Sequence, residues 1–292
     1  MSITSHSEVG KIKNIYIKRA EQAFISQEKV NAEWEKLNFL SQPNHNLALQ
    51  EYASFEQAIQ SVGAEIHYLP AEQNLSMDSI YCRDASIATD FGMIICRMGK
   101  MERNGEPTAE KMAFEKQGIK ILGEITSPGT VEGGDVAWLD RKTLAVGHTY
   151  RTNEAGIEQL RQLLEPHGVQ ILVSDLPHYK GESDVFHLMS ILSPVSDDLA
   201  VVYSPLMPIK FRNELLHRGF RLVEVPDEEF ESMGCNVLAL EPNNCLMVAG
   251  NPITKKRLEE AGCIVTVYQG NEISVKGGGG PTCLTRPMER IV

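Results

Sequence analysis

The chain has 292 residues, of which 42% are apolar and 23% are charged, and this composition is typical of a folded globular protein. It excludes disordered, collagen-like and coiled-coil chains, and no apolar run approaches the ~18 residues that a membrane-spanning helix needs. The net charge of −11, without a long basic run, disfavours nucleic acid as a partner and suits a small cationic ligand.

The amino-terminal stretch MSITSHSEVGKIK lacks the apolar segment of a secretory signal, so we expect a cytoplasmic protein with no membrane partner. The six cysteines never occur at Cys-x-x-Cys spacing, which indicates neither a zinc site nor a disulfide framework. We therefore expect reduced thiols and no bound metal.

Five amphipathic helical segments follow one another along the chain, and each ends at a glycine that leads directly into a β-branched, apolar stretch. They read FEQAIQSVG-AEIHYL, KMAFEKQG-IKIL, IEQLRQLLEPHG-VQILV, FRNELLHRG-FRLVEV and ITKKRLEEAG-CIVTVY, and their glycines are Gly63, Gly118, Gly168, Gly219 and Gly262. Glycine adopts the left-handed conformation that ends a helix. The recurrence after 55, 50, 51 and 43 residues predicts a repeated unit.

A polar loop and a pair of strands follow these joints, as in SIYCRDASIATDFGMIICRM and CNVLALEPNNCLMVAG. Each unit therefore reads strand, strand, helix, strand, and a unit of ~50 residues cannot bury its apolar face alone. We expect residues 1–292 to form a single α/β domain, a closed propeller of five consecutive units. A doubly wound parallel sheet is the alternative, but the strand pairs and the lack of a Gly-x-Gly-x-x-Gly turn after the first strand disfavour it.

Residues with catalytic chemistry recur shortly after the strand that follows each of those glycines. In chain order they are Asp78, Arg83 and Asp84, then Glu132 and Asp135, then His187, then Cys235 and Asn236, and finally Cys283. Equivalent positions of a radial array face one axis, so we expect these side chains to meet in a central pocket.

A thiol, an imidazole and a carboxylate that meet supply a nucleophile, a proton carrier and a group that orients the carrier. Cys283, His187 and Glu132 are such a set, and an imidazolium beside a thiol can lower its pKa from about 8.5. The four glycines at 277–280 allow backbone to approach a ligand closely. Each residue alone also has a structural interpretation, and Cys235 within its strand pair is better explained as core. Together the three favour a cysteine hydrolase.

The motifs DSIYCRD, VEGGDVAWLDRKTLAVGHTYRTN, FHLMS, VPDEEFESMGCNVLAL and GGGGPTCLT resemble, in matching order, segments of dimethylarginine dimethylaminohydrolases. Those enzymes belong to the guanidine-modifying (amidinotransferase and arginine deiminase) superfamily. The resemblance spans nearly the whole chain and implies the pentein fold, a five-bladed α/β propeller. It also implies that Cys283 is the nucleophile, His187 the general acid and base, and Glu132 the partner that holds the imidazole.

The resemblance further implies a substrate-binding set. Its members are Asp78 and Asp84 for the guanidinium, Arg97 and Arg151 for the substrate's carboxylate, and Asp135 as an additional candidate.

Two positions make the substrate assignment mixed. Arg83 stands where dimethylarginine dimethylaminohydrolases often have an acidic residue, and Arg83-Asp84 instead resembles the pair of arginine deiminases. Those deiminases, however, have a second guanidinium-binding aspartate at the position of Met189. An apolar Met189 removes a bidentate partner of an unsubstituted guanidinium and tolerates an N-alkyl group.

We therefore expect a hydrolase that converts an arginine-like or dimethylarginine substrate to a ureido product such as citrulline, through a covalent thiouronium on Cys283. The reaction requires no metal or organic cofactor, and a homodimer is compatible with the sequence. An amidinotransferase, in which an amine instead of water resolves the intermediate, stays open. An agmatine-type deiminase fits less well, because Arg97 and Arg151 anticipate a carboxylate that agmatine lacks.

Two further classes are weaker alternatives. A non-catalytic pentein binding protein has no need of Cys283, His187 and Glu132 together. A thiol peptidase also uses a cysteine and a histidine, but it would leave Asp78 and Asp84 without a purpose.

Overall fold

The strands of the chain form five sheets of three strands each in the computed structural model, which describes residues 5–292. The strands are β1 (Lys11–Ile17), β2 (Glu65–Tyr68), β3 (Ser86–Thr89), β4 (Gly92–Ile95), β5 (Ile121–Glu124), β6 (Val136–Asp140), β7 (Thr143–His148), β8 (Gln170–Asp175), β9 (Leu192–Ser196), β10 (Leu199–Val202), β11 (Arg221–Glu224), β12 (Leu238–Glu241), β13 (Asn244–Val248), β14 (Ile264–Tyr268) and β15 (Thr285–Ile291).

One helix precedes the third strand of every sheet, and three short helices lie elsewhere. The helices are α1 (Ala20–Ala23), α2 (Gln27–Glu33), α3 (His45–Gln60), α4 (Glu106–Lys116), α5 (Glu154–Leu164), α6 (Ile209–His217), α7 (Asp227–Phe230) and α8 (Pro252–Glu260). No helix within residues 5–292 has both the length and the apolar character needed to cross a membrane.

Each sheet has the same topology. In the third sheet, for example, β6 and β7 pair antiparallel, and the chain then returns through α5 to add β8 parallel to β7. A parallel third strand requires such a crossover, which explains why a helix precedes it each time. The recurrence of this ββαβ arrangement in five sheets confirms the predicted five-bladed α/β propeller.

The innermost strands of the five blades are β15, β3, β6, β9 and β12, and nearly all of their residues are buried. The outermost strands, such as β2 and β14, are mostly half-buried or exposed. Inner strands of neighbouring blades contact one another, and Trp138 Nε1 on β6 donates a hydrogen bond of 3.1 Å to the Ala88 carbonyl on β3. The blades therefore surround a common axis.

The first blade differs from the predicted series of five consecutive units. Its inner strand is β15 from the other end of the chain, which pairs antiparallel with β1 from Lys11–Ile291 to Ile17–Thr285, while β2 pairs parallel with β1. Closing the ring with the last strand satisfies a sheet edge that would otherwise be open for aggregation. The closure also places Cys283, two residues before β15, at the axis.

The five helix-ending glycines are all left-handed, as predicted. Their φ angles are +77° at Gly63, +69° at Gly118, +80° at Gly168, +88° at Gly219 and +101° at Gly262. Apart from the adjoining residues of the same segment, no atom of the described chain lies within 4 Å of the position that a Cβ would take at any of them. Backbone conformation, and not lack of space, therefore selects glycine at these helix ends.

Candidate active site

The candidate residues occupy equivalent places in the five blades, because each one precedes an innermost strand. Asp84 lies two residues before β3, Glu132 four before β6, His187 five before β9, Asn236 two before β12 and Cys283 two before β15. Since the inner strands converge on the axis, their preceding loops lie together at one end of the propeller.

A cavity of about 130 Å³ opens at this end of the axis. The predicted residues that line it are Cys283, His187, Asp78, Asp84 and Arg151, together with Cys235, Asn236 and Met189. The structure thus brings a sulfur, an imidazole and two carboxylates from distant parts of the chain to one cavity, whereas Glu132 lies behind His187.

His187 and Glu132 form a buried pair. His187 Nε2 lies 2.8 Å from Glu132 Oε2. Glu132 Oε1 accepts the backbone N–H groups of Gly99 and Lys100, each at 3.0 Å, and Arg151 Nη1 is 3.5 Å from the same oxygen. Both carboxylate oxygens are therefore engaged, which holds the imidazole in one orientation.

The surrounding carboxylates favour a protonated His187. Burial by itself favours the neutral ring, but the charge of Asp135, the hydrogen bond to Glu132 and the charge of Asp84 outweigh burial and raise the pKa of His187 to about 9. Burial also opposes ionisation of Glu132, but His187 and Arg151 hold the pKa of that carboxyl well below its usual range. Near neutral pH the site therefore contains an imidazolium that can donate a proton.

Asp135 supports the turn that carries His187. Its Oδ1 accepts the backbone N–H of Leu188 at 3.1 Å, and its Oδ2 accepts the hydroxyl of Thr149 at 2.7 Å. Burial raises the pKa of Asp135 to about 6, against the opposing effect of His187. Its carboxylate faces this turn and does not belong to the cavity lining within residues 5–292, so the geometry favours a positioning role over the substrate-binding role that the sequence suggests.

Cys283 has two polar neighbours. Asn236 Nδ2 donates to Cys283 Sγ at 3.4 Å, and Thr282 Oγ1 lies 3.8 Å from the same sulfur. Burial, reinforced by the charge of Asp84, raises the pKa of Cys283, and the two polar contacts only partly oppose this effect. The protein without substrate therefore holds a neutral thiol, in contrast to the lowered pKa anticipated for a thiol beside an imidazolium.

Close approach of backbone to side chains requires glycine at two places in the site. A Cβ on Gly280 would lie 2.5 Å from Asn236 Oδ1, and a Cβ on Gly134 would lie 2.5 Å from His187 Nδ1 and 2.8 Å from Asp84 Oδ1. The glycines of VEGGD and of the run before Cys283 thus allow the reactive side chains to pack directly on the main chain.

Asp78 is paired with Lys100, a cavity-lining residue that the sequence motifs do not predict. Lys100 Nζ lies 2.6 Å from Asp78 Oδ2 and donates to the Leu37 carbonyl at 2.7 Å. The lysine in CRMGK is not part of a recognisable motif. Only the structure shows that its ammonium links the Asp78 carboxylate to the segment that precedes α3.

Asp84 is held through one of its two oxygens. Its Oδ2 accepts from Arg103 Nη1 at 2.6 Å, and Arg103 also binds Glu106 through hydrogen bonds of 2.9 and 2.7 Å. Asp84 Oδ1 is buried and has no hydrogen-bond partner among the described residues. This oxygen is available to a ligand that carries N–H groups.

Arg103, and not Arg97, lines the cavity beside Arg151. Arg97 forms an isolated β-bridge with Val131, and its Nη1 donates to the Gly129 carbonyl at 3.2 Å. The motif CRMG predicts Arg97 for this role, but the arginine that lines the cavity, Arg103, lies six residues further along the chain.

Asp84, Glu132 and His187 place three possible metal-ligand atoms within 4.8 Å of one another. Glu132 is already engaged by His187, and one oxygen of Asp84 by Arg103, so cations of the chain itself already pair with both carboxylates. This arrangement is suited to holding an imidazolium rather than a metal ion. The absence of a metal and of an organic cofactor from the reaction stays a prediction.

Comparison with known proteins identifies relatives that match most of the chain. A protein-family model described as "N,N dimethylarginine dimethylhydrolase, eukaryotic" matches residues 20–290. The chain is also 29% identical over 251 residues to the N(G),N(G)-dimethylarginine dimethylaminohydrolase of Streptomyces coelicolor, an alignment that covers 85% of this chain and 88% of that protein.

Two solved structures share the fold. DDAH from Pseudomonas aeruginosa, as a mutant complexed with citrulline, matches with a TM-score of 0.77 and 24% identity over 94% of this chain and 98% of that one. SxtG, an amidinotransferase from Microseira wollei, matches with a TM-score of 0.80 and 15% identity over 98% and 97% of the two chains. Both likenesses support the pentein fold, and neither chooses between hydrolysis and amidino transfer.

Proposed function

The chain belongs to the dimethylarginine dimethylhydrolase family, and from this premise we propose that it hydrolyses a C–N bond of an N-methylated arginine to give citrulline and an amine. Enzymes of this family are hydrolases that act on C–N bonds in linear amidines. The observation that carries the proposal is the single cavity in which Cys283, His187 and the unpartnered oxygen of Asp84 are brought together.

Binding of a cationic guanidinium follows from the charges of the cavity. Asp84 Oδ1 accepts its N–H groups, and Asp78 adds a second carboxylate to the lining of the cavity. Arg151 lines the same cavity and supplies a guanidinium for the carboxylate of an amino acid substrate. Met189 and Phe186 are buried apolar members of the lining and provide room for N-methyl groups.

The substrate also promotes formation of the nucleophile. Burial keeps Cys283 neutral in the free protein, and a bound guanidinium places a positive charge beside the sulfur, which favours loss of the thiol proton to water. The Cys283 sulfur then attacks the central guanidinium carbon. His187 donates its proton to the departing amine, the C–N bond breaks, and a thiouronium remains on the sulfur.

Hydrolysis of the thiouronium regenerates the site. His187, now neutral, accepts a proton from water as the water oxygen bonds to the central carbon. The C–S bond breaks, Cys283 leaves as thiolate, and the ureido group of citrulline forms. Glu132 keeps the ring in position through both proton transfers, because its carboxylate remains hydrogen-bonded to His187 Nε2.

We expect dimethylarginine to be hydrolysed more efficiently than arginine, because Met189 and Phe186 form an apolar wall where an unsubstituted guanidinium would need another acceptor. The measurement is kcat/KM for a panel of asymmetric dimethylarginine, monomethylarginine, arginine and agmatine, with citrulline and the released amine quantified separately. Turnover of arginine alone would overturn the Met189 argument, and efficient turnover of agmatine would overturn the role of Arg151.

Amidino transfer is the second candidate, since the solved amidinotransferase shares this fold. The same panel is repeated with glycine or a primary amine as acceptor. A hydrolase releases the same amount of citrulline with or without acceptor, whereas a transferase forms a new guanidine only when the acceptor is present.

Lys100→Ala is expected to lower KM for dimethylarginine by about three- to tenfold with kcat nearly unchanged, because the ammonium competes with the guanidinium for Asp78. Lys180→Ala is the matched control. It removes another cavity-lining ammonium, which pairs with Glu231 and not with Asp78, and it should change KM by less than about twofold. A higher KM in Lys100→Ala would show instead that Lys100 helps to bind the substrate.

A further inference from the structure

Arg83, the residue that departs from the family pattern, points away from the candidate active site. Its Nη2 donates to Glu8 Oε1 at 2.8 Å, and its side chain is 2% exposed. The next residue, Asp84, faces the cavity that contains Cys283. The two adjacent side chains thus line different cavities, and the catalytic proposal leaves Arg83 unexplained.

Arg83 belongs to an arginine cluster with Arg286 and Arg290 of β15, which are 4% and 3% exposed. Arg286 Nη2 donates to the Arg83 carbonyl at 2.6 Å, and Arg290 Nη1 donates to the Gly10 and Ala239 carbonyls at 2.6 and 2.8 Å. These carbonyls are neutral, so they do not balance the charge of the guanidiniums.

The carboxylates around the arginine cluster leave it positively charged. Glu8 pairs with Arg83 and supplies one negative charge against three guanidiniums. Glu110 also acts electrostatically on Arg286, but burial raises the pKa of Glu110 to about 8, so that carboxyl is largely neutral near pH 7. A buried excess of positive charge is costly unless a negative partner joins it.

The cluster also contains buried donors that no described residue satisfies. They are Arg83 Nε, Arg286 Nε, and both Nε and Nη2 of Arg290. Buried N–H groups of charged side chains are rarely left without an acceptor, because each loses its hydrogen bonds to water. These N–H donors therefore require a hydrogen-bond acceptor that the described residues do not supply.

A small cavity adjoins this cluster. Arg83 and Arg286 line it together with Glu8 and Ser7, and its volume is about 10 Å³, close to the space of one water-sized particle. Ser7 Oγ accepts the backbone N–H groups of Val9 and Gly10, which leaves the serine hydroxyl proton available to another acceptor. Excess positive charge, unpaired N–H donors and a small cavity thus occur together at the arginine cluster.

We propose that this cavity is a site for one small monovalent inorganic anion of about the size of chloride, bound between the guanidiniums of Arg83 and Arg286. A phosphate or sulfate is too large for this space, and the carboxylate of Glu8 further disfavours a multiply charged ion. The anion accepts from the guanidiniums and from Ser7 and balances part of the buried positive charge.

The anion site is separate from the catalytic cavity but contacts the same turn. A Cβ on Gly133 would lie 3.0 Å from Arg286 Nη2, whereas the neighbouring Gly134 faces His187. The backbone N–H of Arg83 also donates to the Cys283 carbonyl at 3.1 Å. An anion that orders the arginine cluster therefore also stabilises the backbone next to Cys283.

The direct test uses bromide as a heavy analogue of chloride. Crystals of the unaltered full-length protein grown without halide are soaked in sodium bromide, and anomalous differences are measured at the bromine absorption edge. We expect a peak between the guanidiniums of Arg83 and Arg286. A map with no peak there, including one with bromide only at the catalytic cavity or the surface, overturns the proposal.

Stability in solution provides a second test. At constant ionic strength, replacing gluconate by chloride should raise Tm by about 2–4 °C once chloride exceeds its Kd tenfold. Arg286→Gln should abolish this response. Arg141→Gln is the control, because Arg141 is an exposed arginine paired with Asp90 and should leave the response intact. An unchanged Tm in chloride, or an equal response in both variants, contradicts the site, and the bromide experiment decides if Arg286→Gln does not fold.

Discussion

Cys283→Ser is expected to reduce turnover of dimethylarginine by roughly 10⁴-fold or more, because a serine hydroxyl in this buried position is a far weaker nucleophile than a thiolate. The measurement is citrulline formation under single-turnover conditions, with circular dichroism and Tm compared with those of the unaltered protein. The exchange of sulfur for oxygen changes little volume, and the contacts of Asn236 and Thr282 with this position are compatible with a hydroxyl. We therefore expect the fold to persist.

Cys235→Ala is the matched control for that prediction. Cys235 lines the same cavity, but burial raises its pKa well above its usual range, and its Sγ donates to the Val201 carbonyl. We expect turnover within a few-fold of the unaltered protein. An electrophilic amidine should label Cys283 and leave Cys235 unmodified in the mass spectrum. Turnover retained in Cys283→Ser, or labelling at Cys235 instead, would refute the assignment of the nucleophile.

His187→Ala is expected to lower turnover of dimethylarginine by about 10³- to 10⁴-fold, because an amine leaves poorly without a proton and water then lacks a general base. The measurement is citrulline release, with Tm recorded to check the fold.

An analogue that carries a thiolate leaving group separates the two roles of His187. Such a leaving group departs without protonation, so His187→Ala should still form the covalent adduct on Cys283 but hydrolyse it slowly. Intact-protein mass spectrometry should show that the adduct accumulates. Rapid release of citrulline from the analogue would contradict the role of His187 as base.

The pH dependence of kcat provides a readout that a purely structural histidine would not produce. Because the pKa of His187 is raised to about 9, kcat should fall as pH rises through about 9, where the ring loses the proton that it donates. The same shift stabilises the fold fully below about pH 6.5, and this contribution is lost as pH rises through about 9. In Glu132→Gln the descending limb of kcat should move to lower pH, since a neutral amide no longer stabilises the imidazolium.

Much of the fold and of the candidate site is encoded locally. The left-handed helix ends at Gly63 and Gly262 require glycine for a local conformational reason that does not depend on distant residues. The repeated unit can therefore be predicted from the sequence. Because the unit repeats, residues in phase with it, such as Glu132, His187 and Cys283, are expected at one place. The cavity contains two of these side chains, with Glu132 hydrogen-bonded behind them.

Contacts between blades, in contrast, are determined only by the tertiary structure. Glu8, which precedes β1 of another blade, sets the direction of Arg83. Within one blade, the fold also decides the pairing of Lys100 with Asp78 and the choice of Arg103 over Arg97 at the cavity.

Ring closure has the same origin. Pairing of β15 with β1 joins the two ends of the chain, and no local propensity specifies a partner so distant in sequence. The pKa values also depend on the tertiary structure and not on residue type alone. Burial keeps the Cys283 thiol neutral, whereas nearby carboxylates keep His187 protonated. The sequence by itself therefore determined the repeated unit and its chemical groups, while packing around the axis decided which groups face one another and in which protonation state.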